Sequence, residues 1–173
     1  HMPIEARESS KALFTDVPSR GRNDTVGLAA MTYDIDDSIG QLRAQIKALG
    51  IANNTYLVVM SDNGGNGSGP RRTSDGALNA GKGSLLEGGI RIPLFAKGPG
   101  IAAGSLSRES ITGCDLYPTF CEWAGTPIPN DLEGTSLANL LAGKQSTLNA
   151  RALVFHYPHY GQGPKQKPQS ALI

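Results

Sequence analysis

Leu28, Met31, Ile35, Ile39, Leu42, Ile46 and Leu49 recur at steps of three and four. That period lays one continuous apolar stripe along an α-helix. Asp24 or Thr25 can cap its start, and Gly50 suits a left-handed stop. After Asn53-Asn54 the chain turns at once into Thr55-Tyr56-Leu57-Val58-Val59-Met60. This short β-branched run does not alternate, which is the pattern of a strand buried on both faces in a parallel sheet. A helix followed directly by a buried strand predicts an α/β layered fold.

Ile90 to Ala96, with Pro93 inside it, reads as a second strand near a sheet edge. Asp115 to Ala124 reads as a helix with Pro118 in its first turn and Gly125 as its stop. A short helix is expected over Ser136–Leu141, closed by Gly143, and a third strand over Arg151–His156. The first 23 residues and the tail from Gly161 show no period, and His1-Met2 reads as a cloning remnant. No internal repeat or linker divides the chain. One domain over 1–173 is expected, with an irregular lead-in over 1–23 and a flexible tail over 162–173.

The chain carries 16 Lys and Arg against 15 Asp and Glu, a formal net charge of +1. That balance argues against an electrostatic nucleic-acid binder, which shows a clustered basic excess. No apolar run approaches the ~20 residues of a membrane span. Cys114 and Cys121 are too few for a disulfide framework or a four-ligand zinc site. Seven positions apart on one helix, their Cα atoms would stand about 10 Å apart, too far to bridge. Buried free thiols are the expectation.

The first expected strand ends in Ser61-Asp62-Asn63-Gly64-Gly65, and residues 64–83 are rich in Gly, Ser, Asn and Arg. In open α/β sheets, ligands gather at the carboxyl ends of strands. Asp62 and Asn63 offer hard oxygen ligands of the kind calcium and magnesium take, and the glycines let backbone approach an anion. The same residues equally suit a turn whose side chains bond only their own backbone. Two ligands also fall short of the roughly 6–8 oxygens around calcium. Gly76 and Gly81-Lys82 have the spacing of a phosphate-binding loop, but Gly83 stands where Ser or Thr would hold magnesium, against a nucleotide site. Lys82 between two glycines is either an ammonium held near backbone amides to meet an anion, or a solvated loop lysine. His156 and His159, in Phe155-His156-Tyr157-Pro158-His159-Tyr160, could bind a metal or a sugar ring, or sit packed and bonded at a strand end. Asp34, Asp36 and Asp37 mark the polar side of the long helix, with Asp34 or Asp37 placed to cap a neighbouring turn.

In chain order these segments are Asp36-Asp37-Ser38-Ile39-Gly40, Asn54-Thr55, SDNGG at 61–65 and GKGSLLEGGIRIP at 81–93. A Gly-Pro-Gly turn at 98–100, DLYPTF at 115–120, GTSL at 134–137 and RALVFHYPHYG at 151–161 follow. From residue 24 to residue 161 this order closely resembles the later part of the type I sulfatase (arylsulfatase) family, in the alkaline phosphatase superfamily. The resemblance implies part of a mixed, largely parallel sheet flanked by helices. It implies hydrolysis of sulfate esters by a formylglycine nucleophile beside one calcium ion, with Lys, Arg and His stabilising charge or moving protons. It makes Asp62 and Asn63 two calcium ligands, Lys82 the sulfate contact, and Glu87 and Arg91 architectural residues. His156 or His159 would line the pocket for a sulfated small molecule or sulfated glycan.

The family's nucleophile comes from a Cys/Ser-x-Pro-Ser-Arg motif early in the enzyme. Here Pro18-Ser19-Arg20 follows Asp16 and falls far too late in the family order. The aspartate pair that completes the calcium site from the first strand is also missing. The expectation is an internal fragment with half a calcium site, inactive alone, from a periplasmic or extracellular parent, with any formylglycine in the missing part. Ser170–Ile173 then reads as the start of a strand in a small C-terminal antiparallel sheet. Two other classes stay open: a non-catalytic anion- or glycan-binding module built on Lys82 and the His156 region, and a fragment of a related phosphodiesterase or phosphonate hydrolase. A partial sheet leaves strand edges exposed, so a homodimer through those edges is expected.

Overall fold

The computed structural model describes residues 3–16, 25–65, 78–158 and 168–173. They gather in two compact units, His1–Thr55 and Tyr56–Ile173.

The first unit holds α1 (Glu8–Lys11), a 3-10 turn at Ala12–Phe14, α2 (Thr25–Ala48) and a second 3-10 turn at Ala52–Asn54. α2 forms where the apolar period places it. Thr25 is already its first residue, Asp24 lies outside the described residues, and Gly50 follows at a φ of 70°. Asp34 does cap a neighbouring turn. It accepts the backbone N–H of Arg7, the residue before α1, at 3.0 Å, and the Ser10 hydroxyl. The Arg7 guanidinium bridges Asp34 and Asp37 at 2.8 Å each. The Ser10 hydroxyl and the Arg7 N–H hold the Asp34 carboxyl below its ordinary pKa, against desolvation. Of the apolar stripe, Ile35 and Leu42 on α2 and Leu49 just after it are exposed.

In the second unit, β1 (Leu57–Met60) pairs with β2 (Leu94–Lys97), and β3 (Val154–Tyr157) pairs with β4 (Gln169–Leu172). Helices and strands interleave, as expected for α/β. Both ladders are antiparallel, where the uniform run at 55–60 suggested a parallel pair. An apolar run reports burial, not direction. Here β1 is half-buried with Met60 exposed, and the connection through 61–93 brings β2 back alongside in reverse. β2 starts at Leu94 and not at Ile90, because Glu87–Ile90 winds into a helical turn, α3. Pro93, which has no N–H to give a ladder, sits just before β2 and accepts the Ser61 N–H through its carbonyl at 3.3 Å.

α4 (Leu116–Ala124) carries Pro118 in its first turn and stops at Gly125, φ 67°. α5 (Ala138–Leu141) starts two residues later than expected and is followed by Gly143, φ 68°. β3 also starts later than expected, at Val154. Of the expected tail, residues 162–167 lie outside the described residues; Ser170 falls within β4, and Leu153 and Ile173 exchange both backbone hydrogen bonds, at 2.8 and 3.0 Å.

The buried centre of this unit is polar as well as apolar, with Leu137, Thr119, Asp115 and Pro118 its largest fully buried side chains. Thr112 and Asp115 form a capping box at the turn leading into α4. The Thr119 hydroxyl donates to the Asp115 carbonyl and accepts the Leu137 N–H at 2.8 Å. Cys121 is buried, but Cys114 is exposed on the Gly113–Asp115 turn, so the expectation of two buried thiols holds for one. Among the described residues, no helix is long and apolar enough to cross a membrane.

Candidate functional site

β1 delivers Ser61, Asp62 and Asn63 to its carboxyl end. The Ser61 hydroxyl donates to the Asn63 carbonyl at 2.9 Å and fixes the turn. The next residues join the 78–91 segment through their backbones. Gly64 N–H donates to Gly89 O at 3.0 Å, Lys82 N–H to Gly65 O at 2.8 Å, and Gly88 N–H to Asn79 O at 2.8 Å. The approach is so close that a Cβ on Gly64 would overlap the Gly88 carbonyl, and one on Gly88 would overlap the carbonyls of Asn79 and Ala80. Ala80 itself takes a left-handed φ of 62°, a conformation that costs an L-residue roughly 1–2 kcal/mol. Composition shows a glycine-rich loop. The structure shows two loops interlocked by the absence of side chains.

That interlock brings Asp62, Asn63 and Lys82 into one loop cluster. Asp62 and Lys82 are exposed and Asn63 is half-buried. Glu87 and Arg91 pair with each other across one turn of α3 at 2.9 Å, both exposed. His156 stands on the other ladder, opposite Ser170, and its Nδ1 lies 2.8 Å from the Ser170 hydroxyl. His159 lies outside the described residues. The structure thus joins three of the expected site residues and places a fourth on β3.

The donors at 62–63 fit calcium in type, a carboxylate and an amide carbonyl, and fall short in number. Among the described residues, no three His, Cys, Asp or Glu side chains converge as a metal cluster.

The sequence reading missed Asp115 and Arg151. The Asp115 carboxylate accepts Arg151 Nη1 at 2.5 Å and Nη2 at 2.6 Å, and the N–H groups of Thr112 and Thr135 at 2.8 Å each. One buried carboxylate therefore ties α4, the GTSL segment and the lead-in to β3. The Thr112-x-x-Asp115 spacing is a capping-box signal that could have marked Asp115. Nothing local marks Arg151, 36 positions away.

A sulfatase family model matches residues 10–126, about two thirds of the chain, and the chain belongs to the sulfatase family. It is 36% identical to human arylsulfatase A over 129 residues, which cover 73% of this chain and 25% of that protein. Among solved structures, Ps i-CgsB in complex with k-i-k-neocarrahexaose superposes with a TM-score of 0.73 at 30% identity, covering 87% of this chain and 35% of the other. BT4656, in complex with its substrate D-glucosamine-2-N,6-O-disulfate, gives 0.70 at 26% identity, covering 86% and 29%. The fold is that of the alkaline phosphatase-like superfamily. The chain spans about a quarter to a third of the length of these relatives.

Proposed function

We propose that this chain supplies the later half of a sulfate-ester hydrolase site, with Asp62 and Asn63 as calcium ligands and Lys82 as the sulfate contact. The Lys82 N–H to Gly65 carbonyl bond at 2.8 Å carries the reading. It fixes the backbone of Lys82 beside the loop that bears two hard oxygen donors, an arrangement suited to an anion bridging cation and lysine. A calcium ion bound there would polarise sulfate oxygens as a Lewis acid. Lys82 would orient the sulfate and offset charge growing on its oxygens. His156, with His159, would meet the organic part of the substrate. The neighbour solved with a disulfated glucosamine supports a sulfated sugar as that substrate.

No Cys/Ser-x-Pro-Ser-Arg segment occurs in the sequence, so no residue here has the setting in which the family forms formylglycine. The 173-residue chain alone is therefore expected to bind sulfate without turning over an aryl sulfate. The test is an NMR titration with inorganic sulfate in the presence of calcium. Shifts centred on residues 62–65 and 81–83, lost in Lys82→Ala, support the reading. Equal shifts with chelator present would favour a non-catalytic anion-binding module instead, and no shifts near Lys82 would refute both.

A further inference from the structure

We infer that Ser170 is a positioning residue that holds His156 as a hydrogen-bond donor toward a sulfated ligand. The inference rests on the reading of His156 as a substrate contact. His156 and Ser170 are directly opposed on β3 and β4, both exposed, with Nδ1 2.8 Å from Oγ. The backbone bonds between Leu153 and Ile173 extend this ladder, so the pair sits on a fixed register. With Nδ1 turned onto Ser170, the edge of the ring left to meet a ligand is Nε2.

The partner's chemistry decides which nitrogen carries the proton. A hydroxyl can donate or accept, whereas sulfate oxygens only accept. When the imidazole is neutral, a sulfate oxygen facing Nε2 requires the proton there, and Ser170 meets the bare Nδ1 by donating to it. When the imidazole is charged, the hydroxyl rotates to accept from Nδ1–H, and Nε2 again carries a proton. Ser170 thus stays a partner of Nδ1 in either charge state and fixes the ring so that Nε2 faces the ligand and can donate to a sulfate oxygen. Alanine at position 170 removes that control without disturbing a buried group. Threonine keeps the hydroxyl.

The experiment records imidazole 15N shifts of the chain, at a pH where histidine is neutral, for the unsubstituted protein, Ser170→Ala and Ser170→Thr. Each is then titrated with D-glucosamine-2-N,6-O-disulfate. The expected result is an Nε2–H tautomer in the ligand-bound unsubstituted protein, a displaced Nδ1 shift in Ser170→Ala, and recovery in Ser170→Thr. Ligand affinity should weaken about three- to tenfold in Ser170→Ala only. An Nδ1–H tautomer, or unchanged shifts in Ser170→Ala, overturns the positioning role. The stated tautomer with equal ligand affinity in all three also overturns it, leaving a surface hydrogen bond. If the tautomer is as stated but the ligand leaves His156 unmoved in every protein, the reading of His156 as a substrate contact is what fails.

Discussion

Asp115 shows how much one residue can hold. Its carboxylate is fully buried, a location that by itself raises a carboxyl pKa. Burial does push it up, but the hydrogen bonds from Arg151 and from the Thr112 and Thr135 N–H groups, with the Arg151 charge, outweigh that and leave it below the ordinary value. A carboxyl depressed in the folded state contributes stability that is full above its unfolded pKa of about 3.9 and is lost as pH falls through the folded value. Stability is therefore predicted to decline below about pH 4, with a shallower decline in Asp115→Asn, measured by urea midpoints across pH. Asp115→Ala leaves the Arg151 charge without its counter-ion and is expected to cost about 3–5 kcal/mol. An urea midpoint within error of the parent would rule out this role. At the interlock, Gly88→Ala must move backbone and not a flexible side chain. A loss of about 1–3 kcal/mol is expected, together with displaced Lys82 and Asn63 amide signals. The sequence analysis read the glycines after Asn63 as letting backbone approach an anion, because the atoms Gly64 admits belong to Gly88 and Gly89, 24 and 25 positions away.

At the scale of elements, α2 and α4 were the most legible. Their apolar periods and glycine stops are local, and the helices end within one or two residues of the expected positions. The strands were less so. Ile90 was assigned to a strand because it opens an apolar stretch, but the Glu-Gly-Gly-Ile turn claims it for α3. The run at 55–60 reported a strand and not the direction of its partner. β4 has no local period, and only the resemblance of Ser170–Ile173 to a family strand pointed to it. α2 also contains a test of its own. Gly40 lies mid-helix, and a Cβ there would meet nothing within 4 Å. Gly40→Ala is predicted to stabilise the chain by about 0.5–1 kcal/mol, seen as a raised melting temperature. A lowered one would mean that this face of the helix is occupied.

At the scale of the whole molecule, Phe95, Val154 and Leu172 are exposed on the two short ladders. Among the described residues each ladder has only two strands, and unpaired edges of this kind recruit further chains. Self-association is predicted, with a light-scattering mass above 18.1 kDa that rises with concentration. A constant monomer mass would count against it. The candidate site was legible as residue types, Asp62, Asn63 and Lys82, but their convergence depends on backbone bonds that no spacing rule announces. The central claim is that this convergence is half of a calcium and sulfate site. Its most direct test is thermal unfolding of the chain and of Asp62→Ala, titrated with calcium from a chelator baseline. The account predicts a calcium-dependent rise in Tm for the unsubstituted chain that is absent in Asp62→Ala. No rise in either protein, or the same rise in both, would contradict it.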